Sequence, residues 1–410
     1  MTKRPLVVYL DMSDFSRFAD LGTARERPVV AETYAKLRHY LECGDVEVRF
    51  SCIHIAEMGK SGSKELAHRK ATVIETLCGN LCFRPFDEIW KREVWSLVQS
   101  SVVGPRFAIP FEVRSDDGLW MLDPADALQL DLDREIKRSL RDLPLNNSQR
   151  RALKARLLRR DRLTNFGLEL VKPSWASARD EIAKRFPVTD ADRIVELFGM
   201  LLSGKISRQS FDKEFKRQLL RPTQIVSFIF EMEEIRKHCP QFVVTIGESL
   251  LRMVSGLRTG LTAIPQYERR KLARYLSDTI ARKSAVQAAL GDRRRVRGAK
   301  LPDQRVEELA YSAEVGALPA VDLISRVAKV YATQHAIMPR NPEASDGPDF
   351  MHLTYLPYCD IFRADTYIVE LLKQCSTLVS ATVVRNLDDL PTVIERLITP
   401  PPGAADSGAA

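Results

Sequence analysis

The sequence predicts an α/β protein: a parallel-sheet domain built from both ends of the chain and interrupted by a large, mainly α-helical insertion. Three observations predict it. Pro5-Leu-Val-Val-Tyr-Leu10 is a continuous apolar run rich in β-branched and aromatic residues, as expected of a strand buried on both faces. Strand-like and helix-like stretches alternate near both ends of the chain, in the rhythm of an α/β fold. Between the ends, from Phe86 to about Met338, nearly all of the apolar periodicity is helical. The 410 residues also exceed the roughly 250–300 that one hydrophobic core usually sustains. The expected divisions are therefore 1–90 and 345–398 for the two parts of the sheet domain, 91–344 for the insertion and 399–410 for a disordered tail rich in Pro, Gly and Ala.

In chain order, the opening strand ends at Asp11, and Met12–Leu21 reads as a short helix or loop. Val30, Tyr34, Leu37 and Leu41 fall on one face of a helix over Val29–Leu41. Val46–Cys52 alternates and reads as the second strand. Ile53–Cys78 is helical with a break at Ser61-Gly62-Ser63. Candidate helices of the middle are Pro124–Leu140, Asn147–Leu158, Ala191–Leu202, Arg208–Leu219, Thr223–His238, Val243–Leu257, Pro265–Leu290, Asp303–Tyr311 and Ala320–His335. Asn147 or Ser148 is expected to cap the second, and Thr189 or Asp190 the third. After a loop over Met338–Pro348 the α/β rhythm returns. Asp349–Tyr358 is a short helix, Ile361-Phe362 continues a strand ending near Asp365, and Thr366–Gln374 is a helix. Leu378–Val384 is then a strand and Leu387–Leu397 a helix. The two end pieces are expected to complete one sheet, since two strands alone are not stable.

Composition excludes several classes. No apolar run approaches the ~20 residues needed to span a bilayer, and the first run is too short for a signal-peptide core. No membrane association is expected, and a cytoplasmic location is the simplest expectation. Seven Cys at spacings that build no zinc site read as free thiols in a reducing compartment. There is no Walker A, Gly-x-Gly-x-x-Gly or Gly-x-Ser-x-Gly sequence, so ATP, NAD and serine-hydrolase chemistry have no support.

Acids cluster where open parallel sheets bind ligands, outside the carboxyl ends of strands. Asp11 follows the first strand and Asp14 lies three residues on. Glu57 sits in the first turns of the helix after the second strand. Asp349 begins the helix after the loop, with Asp346 as an alternative, and Asp365 ends the third strand. Carboxylates converging on one cleft repel unless a divalent cation neutralises them, and oxygen ligands suit Mg²⁺ or Mn²⁺. Ser13 and Ser51 are placed to orient acids or water. His54 and His352 read first as packed or hydrogen-bonded structural histidines. Asp360, at the start of its strand, lies away from the expected site. Arg363 suits an acid or a phosphate partner.

These residues carry a resemblance. Val7-Val-Tyr-Leu-Asp-Met-Ser-Asp14 looks like the opening strand and first acid of PIN-domain nucleases. Arg49-Phe-Ser-Cys-Ile-His-Ile-Ala-Glu57 resembles their second strand and second acid. Asp349-Phe-Met-His352 and Tyr355-Leu-Pro-Tyr-Cys-Asp-Ile-Phe-Arg-Ala-Asp365 resemble the third and fourth, and Tyr355–Phe362 is similar to a bacterial PIN-like subgroup. The resemblance covers under half of the chain. It implies a metal-dependent ribonuclease fold with Asp11, Glu57, Asp349 and Asp365 as metal-site acids, and by analogy a toxin or defence-type enzyme.

Charge completes the sequence reading. The net +8 divides into 0 over residues 1–90, −5 over 345–410 and +13 over 91–344. Residues 134–172 hold 12 basic against 4 acidic side chains, including Arg150, Arg151, Lys154, Arg159 and Arg160. Residues 269–305 hold 12 against 3, centred on Arg293, Arg294, Arg295 and Arg297. Arginine forks suit phosphate, so the insertion is expected to bind RNA with little base specificity. The helices also suit a homo-oligomer surface. The expected function is metal-assisted hydrolysis of RNA phosphodiesters; the alternative is an inactive PIN-like scaffold that binds nucleic acid or a protein through the basic helices.

Overall fold

The computed structural model describes residues 4–103, 144–159, 162–185, 190–207, 221–231, 254–261, 268–273, 318–337, 346–375 and 380–399, with shorter pieces between them. The chain is mixed α/β and mostly helical, with one four-stranded parallel sheet.

β1 (Leu6–Tyr9) leads into α1 (Met12–Ala19) and α2 (Pro28–Glu42). β2 (Val46–Arg49) follows, then α3 (Cys52–Gly59) and α4 (Lys64–Cys78). The break expected at Ser61–Ser63 separates α3 from α4, and the Ser63 hydroxyl caps α4 by accepting from the Leu66 N–H at 3.3 Å. β3 (Cys82–Phe83), too short to leave a period in the sequence, bridges in parallel to Phe50 and pairs antiparallel with β4 (Arg114–Ser115). Between them runs α5 (Phe86–Val103). In the middle of the chain lie α6 (Asn147–Leu157), α7 (Asn165–Arg185), α8 (Ala191–Leu202), α9 (Pro222–Glu231) and α10 (Pro319–Ile337). Two short ribbons, β5–β6 (Leu158–Arg159, Arg162–Leu163) and β7–β8 (Arg295–Val296, Ala299–Lys300), lie among them. The C-terminal part holds α11 (Asp346–His352), a 3-10 segment Leu353–Tyr358, β9 (Ile361–Arg363), α12 (Thr366–Gln374), β10 (Thr382–Val384) and, after a 3-10 turn, α13 (Leu390–Ile398).

The sheet order is β10-β9-β1-β2, all parallel, with Val8 opposite Ile361 and Tyr9 opposite Phe362. The two chain ends thus complete one sheet, as the alternation at both ends predicts. Val7, Val8, Tyr9 and Leu10 are fully buried, so the opening strand is covered on both faces. The chain leaves β1 toward β2 on one side and later returns to its other side at β9. The topological switch point is therefore between β1 and β9.

Parts of the middle pack into the same core. Glu93 of α5 is buried and accepts from the Ala320 and Val321 N–H groups, both at 3.0 Å, so it caps α10 from another helix. The Tyr358 hydroxyl also donates to Glu93, and the Trp90 indole N–H donates to Thr354 at 3.1 Å. The segment following α11 is held from outside by α5 and α10. α9 packs on α3 and α4, α7 packs on α9, α8 and α6, and Gly199 lets the Trp175 ring approach where a Cβ would stand 2.7 Å from it.

Local details differ from expectation. Asn146, rather than Asn147 or Ser148, caps α6, because its carboxamide and that of Gln149 exchange hydrogen bonds with each other's backbone N–H. Asp190 caps α8 as one of the two expected residues. Helix α7 is not among the expected helices, since Pro173 inside it reads as a stop in sequence. Most of Pro124–Leu140, Arg208–Leu219, Pro265–Leu290 and Asp303–Tyr311, and the tail from 400 to 410, lie outside the described residues, as do most of Val243–Leu257 and the second half of Thr223–His238. No helix among the described residues is long and apolar enough to cross a membrane.

Candidate active site

The carboxyl ends of β1 and β9 flank the switch point, where open parallel sheets form a crevice. Asp11 leaves β1 and caps α1. Its Oδ2 accepts from the Ser13 N–H at 3.0 Å and from the Ser13 hydroxyl, while its own N–H donates to Asp14 at 3.2 Å. Asp365 leaves β9 and caps α12, with Oδ1 accepting from the Ile368 N–H at 2.7 Å. The strand-to-helix turn requires an extended cap residue, so the same geometry that starts each helix puts a carboxylate at the strand end. Each cap role occupies one oxygen.

Glu57 comes from α3, which begins just after β2, and Asp349 from α11. Asp349 makes no hydrogen bond among the described residues. Its carboxyl is pushed up to about 7, mainly by burial. Nearby His352 opposes that shift, whereas the charges of Asp11, Asp365 and Glu57 add to it. The four acids from four separate segments therefore act on one another at one end of the sheet. Among the described residues no three His, Cys, Asp or Glu side chains close into a metal-ligand group. The donors are carboxylate oxygens only, and a half-buried carboxylate that feels three like charges and accepts no hydrogen bond among the described residues is a setting that a divalent cation would neutralise.

Asp14 is fully buried beside Asp11. The Arg363 guanidinium lies 3.2 Å from its Oδ1. Burial pushes the Asp14 carboxyl up to about 7; Arg363 opposes this and Asp11 adds to it. Arg363 thus takes an acid partner, one of its two expected options. Asp346 is engaged elsewhere, accepting from the Tyr331 hydroxyl at 2.6 Å and the Glu343 N–H at 3.1 Å. Asp360 sits at the opposite, amino edge of the sheet. It holds Arg4 at 2.7 and 3.0 Å and the Val7 N–H at 2.8 Å.

Behind the acids lies a buried hydrogen-bonded chain. His352 Nε2 lies 3.1 Å from Glu57 Oε2, and its Nδ1 lies 2.6 Å from the Tyr9 hydroxyl. Tyr9 meets Ser51 at 2.7 Å. The Ser51 N–H donates to His54 Nδ1 at 3.0 Å, and His54 Nε2 donates to the Leu10 carbonyl at 2.9 Å. Burial pushes His352 down, but Glu57, with Asp11 and Asp349, outweighs it and the ring is raised. Burial and the facing His352 hold His54 well below the usual histidine range. The surroundings thus favour the proton on His352 and disfavour it on His54, and the two ring centres are 4.8 Å apart. The structural reading of His54 fits this chain. His352 is more, because it grips a site acid directly. The pairing spans 295 residues, so no local spacing signals it.

The predicted basic residues that the structure describes come from the middle of the chain. Arg150, Arg151 and Lys154 are on α6, Arg159 is in β5, and α6 joins the core through α7 and α9. Arg150 also donates to the Arg141 carbonyl at 3.2 Å. Arg295 opens β7, while Arg160, Arg293, Arg294 and Arg297 lie outside the described residues.

Comparison of the chain with known proteins gives no matching family model, no matching curated protein and no matching solved structure.

Proposed function

We propose that the chain is a PIN-like, metal-dependent endoribonuclease whose helical middle region is an insertion that holds the RNA. One observation supports this above the others: half-buried Asp349, without a side-chain hydrogen bond among the described residues, is pushed up first by its partial burial and then by the charges of Asp11, Asp365 and Glu57, near the switch point of a parallel sheet. Strongly perturbed groups in such a place are candidates for chemistry.

In this reading Asp11, Glu57, Asp349 and Asp365 hold Mg²⁺ or Mn²⁺, which when bound neutralises developing charge on a phosphoryl oxygen and lowers the pKa of water. The Ser13 hydroxyl and N–H orient Asp11. His352 orients Glu57, and Tyr9 fixes the far side of the His352 ring. Asp14, locked to Arg363, keeps the turn after β1 in register with β9.

The test compares wild type with Asp11→Asn on single-stranded RNA in Mn²⁺, with an EDTA control. The variant and the EDTA control should lose cleavage by about 100-fold or more. Equal cleavage by both proteins, or none by wild type across varied RNAs, sinks the reading. The Glu57–His352 contact favours a second reading, an inactive PIN-like scaffold, because an acid held by histidine is already partnered. That reading expects RNA binding without cutting.

A further inference from the structure

Three regions outside the acid cluster invite a role: the buried Tyr9–His352 chain, an open cavity at the amino edge of the sheet, and a cavity at its carboxyl edge. The first serves the acids already described. The second is lined in part by Arg4 and Asp360, which are bonded to each other. The third is a different kind of place.

That third cavity, of about 360 Å³, lies beyond the carboxyl ends of β9 and β10, directly beside the acids. Arg17 of α1, Arg27 at the cap of α2, Arg363 of β9 and Arg385 after β10 all line it, together with Ser13 and Asp365. Four guanidinium groups from four elements around one small cavity do not follow from helix periodicity or from net charge. The chain segments that supply them are neutral or acidic overall.

Two details mark it as built. Arg363 is only 4 % exposed, and its Nε is a buried donor without a hydrogen-bond partner although the same side chain holds Asp14. A buried donor left unmade costs about 1–3 kcal/mol, a cost the fold carries in placing this guanidinium at the cavity wall. Arg385 lines the cavity with its Nε held by Thr366 Oγ1 at 3.1 Å, so the hydrogen bond to Thr366 does not use the outer nitrogens of its fork. The Arg27 side chain makes no ion pair or hydrogen bond among the described residues. Of the three acids that share the lining with the four arginines, Asp389 accepts from Asn386 at 3.0 Å and Asp365 caps α12, which leaves Asp388 as the third.

We propose that this arginine-lined cavity binds a phosphate of a single nucleic-acid strand next to the carboxylate site. Its volume is at the small end of ligand pockets, which run about 300–1,000 Å³, and fits one nucleotide unit better than a duplex. Arginine forks match two phosphate oxygens at once. Because Asp365 borders both the cavity and the acid cluster, a phosphate held by Arg27 and Arg385 sets the register of the strand over Asp11 and Asp349. The basic helix α6 then adds affinity farther along the strand. The inference rests on the proposed nuclease reading for its substrate, but not for its binding test.

The experiment measures binding of a fluorescein-labelled ten-nucleotide uridine RNA by anisotropy, in EDTA so that nothing is cut. Wild type is compared with the Arg27→Ala/Arg385→Ala double variant and with Arg396→Ala, an exposed cation outside the cavity. Both cavity positions are exposed, and circular dichroism checks that the variants fold. The double variant should bind about 10-fold or more weakly, and its slope of log K against log salt should fall by about 0.7 for each phosphate it no longer neutralises. Arg396→Ala should match wild type. Unchanged affinity and slope in the folded double variant, or equal weakening in Arg396→Ala, overturns the proposal. If wild type binds through these arginines yet never cuts with Mn²⁺, the cavity stands and the nuclease reading falls.

Discussion

The two edges of one sheet treat the same residue type in opposite ways. At the amino edge Asp360 is satisfied three times over, by both outer nitrogens of Arg4 and by the Val7 N–H. It ties the start of β9 to the start of β1. At the carboxyl edge the Asp349 carboxylate accepts no hydrogen bond among the described residues and feels the charges of Asp11, Asp365 and Glu57. A fold that satisfies an aspartate fully at one edge leaves another unsatisfied at the other. The difference sets an acid that ties two strands together against the acids proposed to hold a cation, and it makes each edge a control for the other.

The largest effect should come from breaking the unsatisfied edge. Asp349→Asn should reduce Mn²⁺-dependent RNA cleavage by about 100-fold or more. Asp360→Asn should cut at close to the wild-type rate. Cleavage by Asp349→Asn at the wild-type rate breaks the comparison. The next effect is on stability and runs the other way: Asp360→Ala should cost about 1–2 kcal/mol in urea unfolding because its hydrogen bonds are removed, whereas Asp349→Asn should not destabilise.

A third effect is a pH dependence. Asp349 holds its proton up to about 7 in the fold but only to the ordinary 3.8 when unfolded. Between these values the folded chain binds more protons, so this group lowers stability as pH rises from about 4 to about 7. Asp14, pushed up to about 7, acts in the same direction. His352, raised above its usual value, stabilises at acid pH and loses that contribution as pH climbs through its folded pKa. In EDTA the melting temperature should therefore fall across this window. Asp349→Asn should flatten the fall by a few degrees, each kcal/mol being worth about 2–4 °C. Identical wild-type and variant profiles contradict the assignment. The smallest effect belongs to the basic middle of the chain: Lys154→Ala on α6 should weaken RNA binding only about 2- to 5-fold, as expected for one exposed phosphate contact.

Much of the sheet is readable in the sequence because its strands announce themselves. Val7–Leu10 is a buried run that ends in an acid, and helix Thr366–Gln374 starts and stops where Asp365 and its apolar face require. A strand-end aspartate that caps the next helix is a local pattern, and so Asp11 and Asp365 are legible. What is not legible is non-local or too short. Cys82–Phe83 is two residues long and is strand only through its pairing with Arg114–Ser115 and its bridge to Phe50. The hold of Glu93 on α10, the grip of His352 on Glu57 and the meeting of Arg17, Arg27, Arg363 and Arg385 join residues far apart in the chain. The charge count points at the middle of the chain, while the arginines that line the cavity beside the acids sit in segments that are neutral or acidic overall.

The central claim is that the carboxyl-edge acids share one cation. Titration of Mn²⁺ into metal-free protein, followed by the loss of the free-ion EPR signal, tests it directly. Wild type and Asp360→Asn should bind alike, and Asp349→Asn should bind at least about 10-fold more weakly, as for loss of one carboxylate ligand. Equal binding by Asp349→Asn and Asp360→Asn, or no Mn²⁺ binding by wild type, would contradict it.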